Sequence, residues 1–538
     1  MIKQKWLTKI ITTIVAASCA FPVFAQEKGA NSITVNELRK HLSFIASDEL
    51  EGRDTPSVGL KTAARYIAAH MESYGLKSLM PDGSYMQRID LPVTSLDTQR
   101  TILTLINSDD EHELRFPQEF GVASGAAGEY SGKLVFLGNP SESQLASYKL
   151  RGKIVVILDE TPPEEQNLLQ SFHEDYEDKI STIYSQGAAG VLIVINELRE
   201  SDMEKRGYNF DVRQDATYFE ENVTRWQQVQ ENASWWEPED EQPEWASLPL
   251  LEIRHDVAAK ILGISQAELK KMFKKMSQGE QIAMQKTSGR KITLTIAEKE
   301  ELDYSQNVIA MVEGTDPILK NEYIVYSAHY DHLPIQRGRV YNGADDNGSG
   351  TVNLIEIAEA MALDPPKRSI IFAWVTGEEK DLWGSRYFLT NPLIPLEKIS
   401  ANINHDMNGR NHEDSVWIIG ARLMSSDMEK SVIDVNEKYM KKSLRLSDYA
   451  FSYSDNYIFS SYGIPTVSFF SGEHDQTHHP DDAIDLINFE KMESYAKYSY
   501  YLGHEIGNKK EMLKLDIDPT ISGRGNPYLV PRTEGIYQ

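Results

Sequence analysis

The sequence predicts an α/β fold, a mainly parallel mixed sheet flanked by helices, with a β-rich unit inserted ahead of it. Three observations carry the prediction. From Asn307 to Gly503 short apolar runs alternate with amphipathic stretches, the strand–loop–helix rhythm of a layered α/β sheet. Between about 127 and 295 the apolar runs are closely spaced and bounded by glycines and charges, as buried strands are. In the C-terminal region each strand is followed at once by acids and histidines, and ligands of such sheets bind beyond the carboxyl ends of the strands.

The chain has 538 residues, 41 % of them apolar and 25 % charged, which excludes a disordered or collagen-like polymer. It carries 55 basic against 81 acidic residues, a formal charge of −26. Such a chain repels a phosphate backbone, so nucleic acid is not an expected partner. Lys3, Lys5 and Lys9 precede an apolar stretch, Ile10 to Phe21, too short to span a bilayer. The stretch ends in Val23-Phe24-Ala25, a small-x-small cleavage site, so residues 1–25 read as a signal peptide and Gln26 as the mature start. The chain is then periplasmic or secreted, with lipidation at Cys19 as the alternative. Cleavage after Ala25 leaves no thiol, hence no disulfide and no cysteine metal site. No later segment reads as a membrane span.

Further along, Leu38, Leu42 and Ile45 share one helical face, as do Leu60, Ala64, Ile67, Ala68 and Met71, with Gly75 placed as a stop. A turn-like Glu51-Gly52-Arg53-Asp54 lies between them. Leu134–Leu137, Ile154–Leu158 and Val191–Ile195 read as strands of the inserted unit. Within it, at about 200–246, a polar stretch holds Trp226, Trp235, Trp236 and Trp245, either a loop pinned by aromatic anchors or a lid over an active site. Tyr323–Ala328, Ser369–Val375, Ala401–His405 and Thr466–Phe470 read as buried strands, and Thr351–Ala362 as a helix that stops before Pro365-Pro366.

The chemistry follows these strands. The successive strings are Ser327-Ala328-His329-Tyr330-Asp331-His332, Gly343-Ala344-Asp345-Asp346-Asn347-Gly348-Ser349-Gly350, Thr376-Gly377-Glu378-Glu379, Asn404-His405-Asp406-Met407 and Thr477-His478-His479-Pro480-Asp481-Asp482. One acidic pair after a strand is an ordinary solvated turn. Five such sites along one sheet suit two divalent metals, because zinc takes imidazole nitrogen and carboxylate oxygen, and one carboxylate can bridge two ions.

SAHYDHL, NGADDNGSG, TGEEKDLWGS, NHDMNG and HHPDD resemble the successive motifs of the co-catalytic di-zinc aminopeptidases, the superfamily that includes glutamate carboxypeptidase and the transferrin receptor. LRKHLSFIASDELEGR and AARYIAAHMESYGLKS resemble the family's N-terminal segment, and SQNVIAMVEGTDP its entry strand. LRGKIVVIL and GAAGVLIVIN resemble a protease-associated domain inserted into the catalytic one.

The resemblance implies a zinc-exopeptidase fold, with 26–126 as the first part of the catalytic domain and 127–295 as the protease-associated domain. Residues 296–510 are the second catalytic part and 511–538 an extended tail. It implies two zinc ions per chain: Asp345 as the bridging carboxylate, His329 and Asp406 on one ion, Glu379 and His478 on the other. The Asp345–Asp346 peptide would be cis. Asp331 would accept the second ring hydrogen of His329, and Glu378 would be the general base. His332, His405 and His479 are assigned to packing or support around the site, and the role of Asp455 stays open. Many members carry tyrosine before the last histidine; here Thr477 stands there, leaving Tyr453 or Tyr457 as sources of that phenol. The implied activity is removal of N-terminal residues from peptides with free N-termini. The alternative is a carboxypeptidase or dipeptidase of the glutamate carboxypeptidase type, and oligomeric state is not readable.

Overall fold

A ten-stranded mixed sheet is the centre of the molecule, and its order brings the chemical residues together. The structure, a computed structural model, describes residues 28–107, 110–159, 171–197, 201, 210, 214–216, 244–284, 287, 289–336, 339–517 and 523–525. The main strands are β1 (Met86–Leu96), β2 (Glu298–Val312), β3 (Tyr323–His329), β4 (Ser369–Val375), β5 (Ile399–His405), β6 (Ser415–Ile419), β7 (Ser443–Ser447) and β8 (Thr466–Phe469). Their spatial order is β7-β6-β8-β5-β3-β4-β2-β1, with Gln214–Ala216 beyond β1 and Lys77–Ser78 beside β2. The four central strands β8, β5, β3 and β4 run parallel, so their carboxyl ends share one edge.

Parallel strands need cover on both faces, and these are buried along nearly their whole length. The period-2 alternation sorts them. Ile370, Phe372 and Trp374 of β4 enter one core, whereas Ile371, Ala373 and Val375 enter the other. The first core is closed by α1 (Val35–Ile45), α2 (Val58–Ser73), α3 (Gly350–Leu363) and α6 (Phe489–Gly507); the second by α4 (Trp383–Thr390) and α5 (Asn456–Ser461). Helix α1 starts where the Thr34 hydroxyl accepts from Glu37 N–H, and it buries the predicted Leu38, Leu42 and Ile45. Ser57 caps α2 in the same way, with Leu60, Ala63, Ala64, Ile67 and Met71 inward. Trp374 is fully buried, so truncating it to alanine would cost about 3–5 kcal/mol.

The chain leaves this sheet along β1 and returns along β2, an antiparallel ribbon paired from Met86↔Val308 to Leu96↔Glu298. Between the two lies a second, eight-stranded sheet: Ile102–Ile106, Glu111–Arg115, Phe120–Ser124, Gly128–Gly138, Lys153–Leu158, Gly190–Val194, Leu250–Ile253 and Lys291–Ile296. It therefore begins upstream of the boundary at 127 read from the sequence. Its first strand, Ile102–Ile106, does carry an apolar run; what ties it to this sheet is its pairing with Lys291–Ile296, far along the chain. Residues 1–25, Trp226, Trp235, Trp236 and most of the tail lie outside the described residues. Trp245 is described and packs against the core formed by Val155, Ile157 and Val191. Among the described residues no helix is long and apolar enough to cross a membrane.

Candidate metal centre at the strand ends

Each parallel strand of the central four hands one or two groups to the same cavity of about 330 Å³. His329 ends β3, Glu378 and Glu379 follow β4, Asp406 follows β5, and the loop after β8 brings His474 and His478. The loop between β3 and α3 adds Asp346. The His329 Nε2 lies 3.3 Å from Asp406, 3.5 Å from Asp346 and 3.9 Å from Glu378. On the other side, His478 Nε2 is 3.1 Å from both Asp346 and Glu379, and His332 Nδ1 is 2.7 Å from Glu379. His329, Asp346 and Asp406 make one potential metal group and His332, Asp346 and Glu379 another, with Asp346 common to both.

This moves the expected bridge by one residue. Asp345 turns away from the cavity: one carboxylate oxygen accepts from Gly409 N–H at 2.5 Å and the other meets His474 Nε2 at 3.2 Å. The backbone decides which of these two neighbouring carboxylates faces the cavity. Asp482 Oδ2 accepts both Asp345 N–H at 2.9 Å and Asp346 N–H at 3.0 Å, holding the loop from behind. Gly343 enters that loop at φ +50°, and a side chain on it would meet the His332 ring. The cis peptide likewise follows Asp346, joining it to Asn347, rather than preceding it. Gly350 then starts α3 close under His405, where a Cβ would stand 2.5 Å from the His405 carbonyl.

Two further expectations shift. Asp331 lies 3.8 Å from His329 Nδ1, outside hydrogen-bond reach, and accepts instead from Glu378 N–H at 3.2 Å and from the Thr55 hydroxyl at 3.4 Å. It thus steadies the glutamate turn more directly than the imidazole. His332, assigned from sequence to a supporting role, stands inside the cluster. The signal was present in the spacing, since His-Tyr-Asp-His puts two imidazoles on one strand end. His405 and His479 stay outside: His405 bonds Asn408 and Ser499, and His479 folds back on Asp481. Asp455 is fully buried behind the site, its carboxyl pushed up by burial to about 6. Tyr453 lines the cavity at its exposed rim, as does Thr477, whereas Tyr457 is buried in the apolar core beneath.

The donor set fits a divalent metal on the site's own chemistry. Among the described residues, Asp346, Glu378, Glu379 and Asp406 have only histidines as ionic partners. Buried carboxylates without a cation are costly, and the site expresses that cost in its protons. Burial pulls His478 down, but Asp346 and Glu379 overcome it and hold the imidazole up at about 11. His329 is lowered by burial and raised more strongly by Glu378, Asp406 and Asp346. Burial also lifts Glu378, with Asp406 and Glu379 adding to the rise while His329 opposes it. Glu379 goes the other way, since hydrogen bonds from His332 and His478 outweigh its burial. The His329 Nδ1 and His332 Nε2 nitrogens are buried with no hydrogen-bond partner. A cluster that attracts positive charge this strongly, built from imidazole and carboxylate without thiol, is a zinc-type donor set.

The profile described as "Peptidase family M28" matches residues 307–502. Leucine aminopeptidase 1 of Aspergillus fumigatus is 25 % identical over 219 residues, covering 37 % of this chain and 55 % of that protein. Aminopeptidase YwaD of Bacillus subtilis is 27 % identical over 207 residues, covering 35 % and 42 %. The chain thus spans about half the length of the curated relatives it matches. Among solved structures, BSAP, a zinc aminopeptidase from Bacillus subtilis, aligns over 90 % of this chain and 99 % of that one, with 19 % identity and a TM-score of 0.49. The residues gathered at the strand ends, His329 through His478, all fall inside the segment, residues 307–502, that matches the peptidase family M28 profile.

Proposed function

We propose that the protein is an exported zinc aminopeptidase that removes single residues from the free N-terminus of peptides. One observation carries the choice of end. Among the described residues lining the cavity there is no lysine or arginine, while Asp346, Glu378, Glu379, Asp406 and Glu473 all face it. With bound zinc offsetting the carboxylates that hold it, Glu473 remains to attract a substrate α-ammonium, whereas a terminal carboxylate would find no basic side chain to pair with. The relatives' printed names support the same end.

His329 and Asp406 would hold one zinc, Glu379 and His478 the other, and Asp346 would stand between the two; His332 is placed to orient Glu379. Bound zinc supplies Lewis-acid polarisation of the scissile carbonyl and lowers the pKa of a neighbouring water. Glu378 does the proton work. Its carboxylate takes the proton of the attacking water and returns it to the departing amine, a role suited to a carboxyl whose burial raises its proton affinity. Asp331 keeps Glu378 aimed through its backbone N–H. Met407, Ile419, Ala450 and Phe470 form an apolar wall of the cavity, which suits an uncharged, hydrophobic first side chain. The eight-stranded unit is proposed as a protease-associated domain, with LRGKIVVIL and GAAGVLIVIN supplying two of its strands, and residues 1–25 as the export signal.

The test is mass spectrometry of one peptide, free and N-acetylated, incubated with the mature protein with and without chelator. Stepwise loss from the free copy only, stopped by chelator, is expected. Trimming of both copies from the other end would contradict the assignment.

A further inference from the structure

Arg53 lies upstream of the family segment, in the turn between α1 and α2, yet it is fully buried beneath the metal centre. Its guanidinium contacts four backbone carbonyls: Nε to Tyr330 at 3.0 Å, Nη1 to Ile45 and Asn342 at 2.6 Å each, and Nη2 to Gly343 at 3.0 Å. Among the described residues no carboxylate pairs with it. Tyr330 sits between His329 and Asp331, and Gly343 opens the loop that carries Asp346. One planar group therefore bridges the two chain segments whose side chains meet in the cavity.

The rest of the turn repeats the pattern. The Arg53 carbonyl accepts from His332 N–H at 3.2 Å. Thr55 Oγ1 reaches Asp331 at 3.4 Å and Thr376 at 2.9 Å, and Asp54 pairs with Lys380 at 3.1 Å. Three of the five ligand-bearing segments, the end of β3, the Asp346 loop and the Glu378–Glu379 turn, are thus tied to residues 53–55. Gly52 makes the approach possible: at φ +90°, a Cβ there would stand 2.2 Å from the Leu333 carbonyl. Arg53 itself is held at φ +71°, a conformation unusual for a side chain of that size. Burial lowers the guanidinium to about 10, against the pull of Asp331 and Asp346, so it stays charged at neutral pH.

We infer that Arg53 is a positioning residue: its guanidinium clamps the Asp346 loop to the end of β3 and so sets the spacing of the metal ligands. The inference rests on the metal-centre reading, though not on which end of a peptide is cut. A planar fork is needed because its donors must reach Tyr330, Asn342 and Gly343 together; a lysine ammonium offers three donors from one atom.

The test is zinc affinity of the full mature chain, stripped and then titrated against a chromophoric chelator, with kcat and KM read beside it. R53M should bind zinc about tenfold more weakly or worse, comparable to the loss of an orienting partner. R53K should lose about three- to tenfold by the same effect, with kcat lowered and KM little changed, and it decides the matter if R53M does not fold. The control is R368M. Arg368 is equally buried and also bonds backbone carbonyls, Ile506 at 3.3 Å among them, but it stands at the other end of β4 beside Glu322. R368M should melt earlier and keep wild-type zinc affinity. Unchanged affinity in both Arg53 variants, or an equal loss in R368M, would overturn the inference. A wild-type protein that binds zinc but trims no peptide would remove the proposed activity and leave Arg53's role standing.

Discussion

Both sheets contain neighbouring parallel strands, but their carboxyl ends differ in kind. In the inserted sheet, Lys153–Leu158 and Gly190–Val194 run parallel and end in Asp159 and Asn196, which hydrogen-bond each other at 3.1 Å. In the main sheet, β3, β4, β5 and β8 end in carboxylates and imidazoles that outnumber any fixed cation. The same backbone arrangement thus gives a scaffold in one region and a charge-demanding cavity in the other. What separates them is the side chains at the strand ends, since a fold of this kind does not by itself confer a function.

The sharpest way to break the comparison is to exchange the two neighbouring aspartates. D346A should lose zinc and, with it, nearly all turnover, a fall of about 1,000-fold or more; D345A should keep its zinc within about 10- to 100-fold of wild-type affinity. Metal analysis after dialysis separates these outcomes, and equal loss in both variants would dissolve the assignment. E378Q comes next. It should retain zinc while its rate falls about 100- to 10,000-fold, and a wild-type rate would mean that another group handles the proton.

Removing the metal should act on the main sheet alone. Chelator should lower the stability of that unit by about 2.7 kcal/mol for each ion removed, relative to protein at 100-fold excess of zinc over its dissociation constant. Calorimetry should show the shift confined to one transition if the two units unfold separately, and added zinc should restore it. A smaller effect on turnover is expected from the inserted sheet. Leu192 is fully buried there, so L192A should cost about 2–5 kcal/mol and leave kcat within twofold. Loss of turnover in that variant without unfolding would show that the inserted unit takes part in the chemistry.

The strand ends were legible in the sequence because a fully apolar run and the acid or histidine after it are adjacent in the chain. The parallel order of the central strands follows from the same alternation. What stayed hidden was set by distant partners. Asp345 and Asp346 are chemically identical neighbours, and the choice between them depends on Asp482, more than 130 residues away, and on Gly409. His332 looked like packing until the Glu379 carboxylate arrived from another strand. The start of the inserted sheet was missed because the pairing that places Ile102–Ile106 in it comes from Lys291–Ile296, far along the chain. Arg53 was only part of a turn, since a guanidinium that bonds four carbonyls carries no local pattern.

In the proposed centre, Asp346 would stand between two metal ions at the meeting point of four parallel strands. An anomalous difference map recorded at the zinc edge from crystals of the zinc-loaded protein tests it most directly. Two peaks are predicted, one beside His329 and Asp406 and one beside Glu379 and His478, each within bonding distance of the Asp346 carboxylate. A single peak, or a pair bridged by Asp345, would contradict it.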